Sequence, residues 1–112
     1  MAAAAFGLTG ASIPHLRPKN KLPKWKGFNL LDFFVPNPAH ARKPTTEEYL
    51  KWMRDWGFDF VRIPMAYPVY LDIDRSKKIT PDEVYKIDEA AVDRIDKLVD
   101  TAHKYNMQVS LN

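Results

Sequence analysis

Two rhythms of apolar residues alternate along this chain, and each change of rhythm marks an element. Tyr49, Leu50, Trp52, Met53 and Trp56 recur at helical spacing, which predicts one helix with both tryptophans in the core. Thr45-Thr46-Glu47-Glu48 ahead of it fits a capping box, with a threonine hydroxyl accepting from a backbone amide and Glu48 reaching back to the cap. Gly57 can take the left-handed conformation that ends a helix. From Asp88 a longer helix is predicted, because Ile87, Ala91, Val92, Ile95, Leu98, Val99 and Ala102 form one stripe that Asn106 closes. Asp93 with Lys97 and Asp100 with Lys104 are spaced four apart, for pairs of about 0.3 kcal/mol each.

Between these stripes lie short strand-like runs at residues 25–30, 59–63 and 107–111. The second is almost continuously apolar, which predicts burial on both faces in a parallel sheet. Pro14, Pro18 and Pro23 forbid helix in the lead-in, and Pro36, Pro38 and Pro44 make residues 32–44 a loop. In the excursion over residues 64–87, Thr80-Pro81-Asp82-Glu83 reads as a second capping box opening a short helix.

Strand, helix, strand, helix, strand is the order that right-handed crossovers convert into adjacent parallel strands, so the chain is α/β. At 112 residues it holds one modest core and is too short for two domains. Two and a half βα units are not a closed architecture, since an eight-unit barrel needs about 250 residues. The expectation is an unfinished piece with an exposed strand edge, prone to self-association.

Composition adds constraints. Hydrophobic residues at 46% and charged residues at 28% fit a globular chain and exclude disordered and fibrous classes. The +3 net charge gathers partly in Arg17, Lys19, Lys21, Lys24 and Lys26, ahead of the first acid at Asp32. A basic arm for nucleic acid is the reading this raises, but elsewhere bases alternate with acids as on a solvated surface, so no nucleic acid is expected. Absence of cysteine removes disulfides and thiolate chemistry. His15, His40 and His103 lack metal-ligand spacing, Asp32, Asp72 and Asp74 lack the pattern of a calcium loop, and no phosphate-binding loop occurs, so neither metal nor cofactor is expected. The small, apolar residues 1–12 resemble the tail of an export signal, which suggests a secreted or extracytoplasmic location, and are too short to span a bilayer. The division is therefore a leader over residues 1–23 and an ordered part over residues 24–112.

Candidate chemistry centres on Gly57-Phe58-Asp59-Phe60-Val61-Arg62-Ile63-Pro64. Arg62 is a fixed cation near the end of an apolar strand, where an unpaired guanidinium is costly. Its partner is either a carboxylate of a functional site or a structural salt bridge. Phe33, Phe34, Tyr67 and Tyr70 follow strands, at the end where barrel enzymes bind substrate, and could stack on a ligand or pack the loops. Asn29 is open to a site role or a structural hydrogen bond. Trp25, near the start of the first strand, belongs to the opposite, stability-bearing end.

Three segments in this order, Trp25-Lys26-Gly27-Phe28-Asn29, Gly57 through Pro64, and residues 95–112 reading IDKLVDTAHKYNMQVSLN, resemble the N-terminal third of a family five glycoside hydrolase, the cellulase-like barrels. The resemblance covers residues 24–112. It implies the first part of a TIM (β/α)8 barrel that cleaves β-linked glycans such as β-glucan with retention, using two glutamates about 5 Å apart. It also implies that Arg62 sits beside the nucleophile and keeps it ionised, as an adjacent cation does to a carboxylate. In the family the acid/base follows an asparagine at the end of the fourth strand and the nucleophile ends the seventh. Glu47, Glu48, Glu83 and Glu89 match neither position and read as helix-start residues. The catalytic pair is thus expected to be missing and the chain inactive alone. A non-catalytic βαβ interaction module that self-associates is the alternative reading.

Overall fold

A computed structural model describes residues 22–40 and 42–112. The leader expected over residues 1–23 lies, up to residue 21, outside them. The ordered part contains strand β1 (Gly27–Asn29), helix α1 (Glu47–Asp55), strand β2 (Phe60–Ile63), helix α2 (Glu89–Lys104) and strand β3 (Gln108–Leu111). The strands form one parallel sheet in the order β1-β2-β3. Single 3-10 turns interrupt the loops at Pro38–His40, Tyr67–Val69 and Pro81–Tyr85.

Local chemistry sets each boundary. α1 starts one residue later than the box at Thr45 predicts: Thr46 is its cap, and its Oγ1 accepts from the Tyr49 amide at 3.4 Å. Thr45 is occupied elsewhere, its amide and hydroxyl both donating to the Asp32 carboxylate at 2.6 and 2.7 Å. With Thr46 as cap, Glu48 is one position short of the box, so the reciprocal bond does not form. Asp88 caps α2 by accepting from the Ala91 amide. The box at Thr80 closes as predicted, Glu83 accepting from both the amide and the hydroxyl of Thr80, but it opens a 3-10 turn rather than an α-helix.

Both helices end in the same way. Gly57, at φ +86°, donates to the Arg54 carbonyl, and the Phe58 amide donates to Met53. Asn106, at φ +57°, donates to His103, and Met107 to Ala102. Each is a Schellman closure, and each turns a helix directly into the next strand.

The core lies between the sheet and the two helices. Val61 and Ile63 from β2 are fully buried against Leu50 and Met53 of α1 and Ile95, Leu98 and Ala102 of α2, with Leu30, Phe33 and Met107 completing the cluster. β2 is buried on one face, not both. The pleat sends Val61 and Ile63 to the helices and leaves Phe60 and Arg62 partly exposed on the other side. The tryptophans also depart from expectation: Trp52 is 44% exposed and Trp56 72%. A helix of nine residues meets the sheet through one turn-spaced pair, Leu50 and Met53, and the tryptophans lie beyond that narrow contact. Gly27 is required by close packing, because a Cβ there would collide with the backbone of Phe60.

Candidate functional site

The site is built on the uncovered face, at the C-terminal ends of the strands. Parallel register aligns Asn29, Arg62 and Ser110 in one row across the sheet. Gly27, Phe60 and Gln108 form the row below, and Trp25 stacks on Phe60 with the ring centroids 5.6 Å apart and the planes nearly parallel. That contact ties the N-terminal end of the sheet, where a stabilising role was expected for Trp25.

Arg62 is partly buried, and its Nε donates to Oδ1 of Asn112 at 2.7 Å. Asn112 is itself fixed by its backbone: its amide donates to the Ile63 carbonyl and its carbonyl accepts from the Met65 amide at 2.7 Å. One edge of the guanidinium is thus oriented by a neutral amide, leaving its terminal nitrogens for another acceptor. The described ion pairs are Arg54 with Asp55, Lys77 with Asp74 and Lys104 with Glu47; none involves Arg62. A structural salt bridge to Arg62 is therefore not formed among the described residues. A carboxylate placed against this fixed cation would be held in its ionised form.

Asn29 is exposed beside Arg62 in β1. Phe33 is 7% exposed, a member of the core, and its carbonyl accepts from the Ala66 amide to join the loops after β1 and β2. It is not available to stack on a ligand. Phe34 is exposed, Tyr70 packs against the core, and Tyr67 is 54% exposed. Tyr67 lines a cavity of about 450 Å³ with Pro36, Pro68, Ile73 and Arg75. Arg75 donates to the carbonyls of both Pro36 and Pro68, so one guanidinium clips the two strand-end loops together.

Three of these residues escaped the sequence reading. Asn112 gave no signal beyond its place just after a strand. Ser110 could have been found as the polar member of an alternation with Val109 and Leu111. Nothing in the sequence marked Arg75, because its acceptors are backbone carbonyls.

The glutamates lie elsewhere. Glu47, in the first turn of α1, accepts from Lys104 and from the Tyr105 hydroxyl, and these bonds hold its carboxyl below the ordinary value. Glu83 is lowered by the Thr80 amide and hydroxyl. Glu48 and Glu89 are exposed in the first turns of α1 and α2.

Parallel βα units with polar side chains gathered at the strand ends form a portion of a TIM-barrel-type fold. The signature of cellulase, glycosyl hydrolase family 5, matches residues 16–112, and the chain belongs to that family. Among solved structures it resembles the Thermotoga maritima Cel5A bound to cellobiose, in mutant form (24% identity, TM-score 0.61, 79% of this chain and 28% of that one). It is also similar to a GH5-4 broad specificity endoglucanase from Clostridium acetobutylicum (25%, 0.59, 77% and 24%) and to a hyperthermophilic endo-beta-1,4-glucanase in complex with substrate (29%, 0.59, 77% and 26%). The chain thus spans about a quarter of the length of these structures. No curated protein sequence matches it.

Proposed function

We propose that this chain supplies the N-terminal part of the substrate face of a secreted, retaining glycoside hydrolase acting on β-linked glucans, and is inactive alone. Arg62 is the site residue. It orients and keeps ionised a nucleophilic glutamate carried by strands outside this sequence, with Asn29 and Tyr67 beside the bound glycan. The observation that carries this reading is the guanidinium at the strand end, steered by Asn112 and paired with no carboxylate among the described residues. The placement of the four glutamates agrees, since none lies on the row of strand ends. A retaining mechanism needs two carboxyls facing one glycosidic bond.

The test is complementation. The 112-residue chain assayed on cello-oligosaccharides should release no reducing sugar, and mixing with a polypeptide carrying the remaining strands of a family 5 barrel should restore release. Arg62→Ala should then lower the rate constant of the chemical step by about 10²-fold or more, in the range of a lost charge-stabilising group. Hydrolysis by the chain alone would refute the division of labour, and full activity in the restored Arg62→Ala enzyme would refute the role of Arg62.

One set of observations favours the self-associating module as a second reading. Tyr49 and Trp52 on α1 and Trp56 at its C-terminal cap are exposed, and the sheet leaves one face open. Sedimentation separates the two: a discrete oligomer that complementing strands cannot dissociate supports the module.

A further inference from the structure

A second cavity, of about 390 Å³, opens between the loop after β1, the start of α1 and α2. Phe33, Pro44 and Leu98 line it with apolar surface, and Arg42, Arg94 and Lys97 bring three cations to it. Every acid of the sequence lies among the described residues, and none comes within ion-pairing distance of these three cations. The pair predicted between Asp93 and Lys97 does not form. The two acids that line the cavity are engaged: Asp32 accepts from the amide and hydroxyl of Thr45, and Glu47 from Lys104 and Tyr105. The hydroxyls of Thr45 and Thr101 donate to Asp32 and to the Lys97 carbonyl, so the free side-chain donor capacity of the lining rests with the cations.

From this we infer that the α1/α2 cleft binds a small molecule bearing an oxyanion, phosphate or carboxylate, with Arg42, Arg94 and Lys97 as its ligands. Neighbouring cations beside an apolar lining concentrate anions, and guanidinium forks suit tetrahedral or planar oxyanions. Arg94 already donates to the Ala90 carbonyl through one Nη, which holds its guanidinium against the helix and leaves other donors for the ligand. The cleft is separate from the row of Asn29, Arg62 and Ser110, and its test does not require hydrolytic activity.

The experiment is a titration of the full 112-residue chain, followed by backbone amide shifts, with glucose 6-phosphate, inorganic phosphate and glucose as three probes. The expected result is saturable binding of one or both phosphates, with shifts at residues 42–47 and 94–101 and none with glucose. If only inorganic phosphate binds, the cleft takes the free ion; stronger binding of glucose 6-phosphate assigns the oxyanion to a sugar body. Arg94→Gln and Lys97→Gln should each weaken binding about tenfold, the scale of one charge-assisted hydrogen bond, while Lys77→Gln, in the other cavity, should leave it unchanged. Both substituted side chains are at the surface, so retained circular dichroism will show the variants folded. Unsaturable shifts, or equal affinity in all variants, overturns the assignment.

Discussion

The two faces of the central strand divide the labour of this chain. On one face Val61 and Ile63 have no solvent exposure and meet both helices; on the other, one residue away along the backbone, Phe60 and Arg62 are partly open and Arg62 is aligned with Asn29 and Ser110. A pleat of period two makes that separation automatic, so residues that hold the fold and the residue proposed for the site can share four consecutive positions. Substitutions on the two faces should therefore report on different properties.

Ile63→Ala gives the largest expected effect, since a fully buried isoleucine lost from the helix-covered face should lower stability by about 2–5 kcal/mol in urea unfolding. Gly27→Ala comes next. Its new methyl must displace the Phe60 backbone, at a cost of about 1–3 kcal/mol, read as loss of amide protection in β1 ahead of β3. Arg62→Ala should change stability by about 1 kcal/mol or less, because it removes one hydrogen bond to Asn112 and no core packing. An effect there as large as that of Ile63→Ala would erase the distinction between the faces.

The smallest effect belongs to the exposed contact between the helices. Glu47 is lowered by its bonds to Lys104 and Tyr105, so its contribution is present above the ordinary carboxylate range and fades as pH falls through its folded value. Lys104 is raised by the same partner, so its share is present below the ordinary lysine range and is lost as pH rises through its own folded value. Glu47→Gln should thus be slightly less stable than the parent at neutral pH, with the gap closing in acid and in high salt. Thermal melts across pH will show it; a difference that grows in acid would contradict the pairing.

Sequence rules worked best where the deciding atoms are close along the chain. The α/β order, the helix stops at Gly57 and Asn106, and the start of α2 at Asp88 depend on contacts within a few residues. Thr45 shows where such rules weaken, because Asp32, thirteen residues away, competes for its hydroxyl and moves the cap by one position. Lys104 shows it again, turning from Asp100 on its own helix to Glu47 on the other. Trp52 and Trp56 have helical spacing that fixes a common side of α1, yet not which side meets the sheet; Leu50 and Met53 decide that. Arg62 was legible as a strand-end cation from the run Phe60-Val61-Arg62-Ile63. Its partner was not, because Asn112 is fifty residues away and is brought near by pairing β2 with β3.

The repeated Schellman closure has a consequence for how such a polypeptide can be made. Each helix-to-strand joint is sealed by hydrogen bonds spanning at most six residues, so its geometry can be set as soon as those residues leave the ribosome. Every βα repeat can then aim its following strand during synthesis, before later repeats exist to guide it.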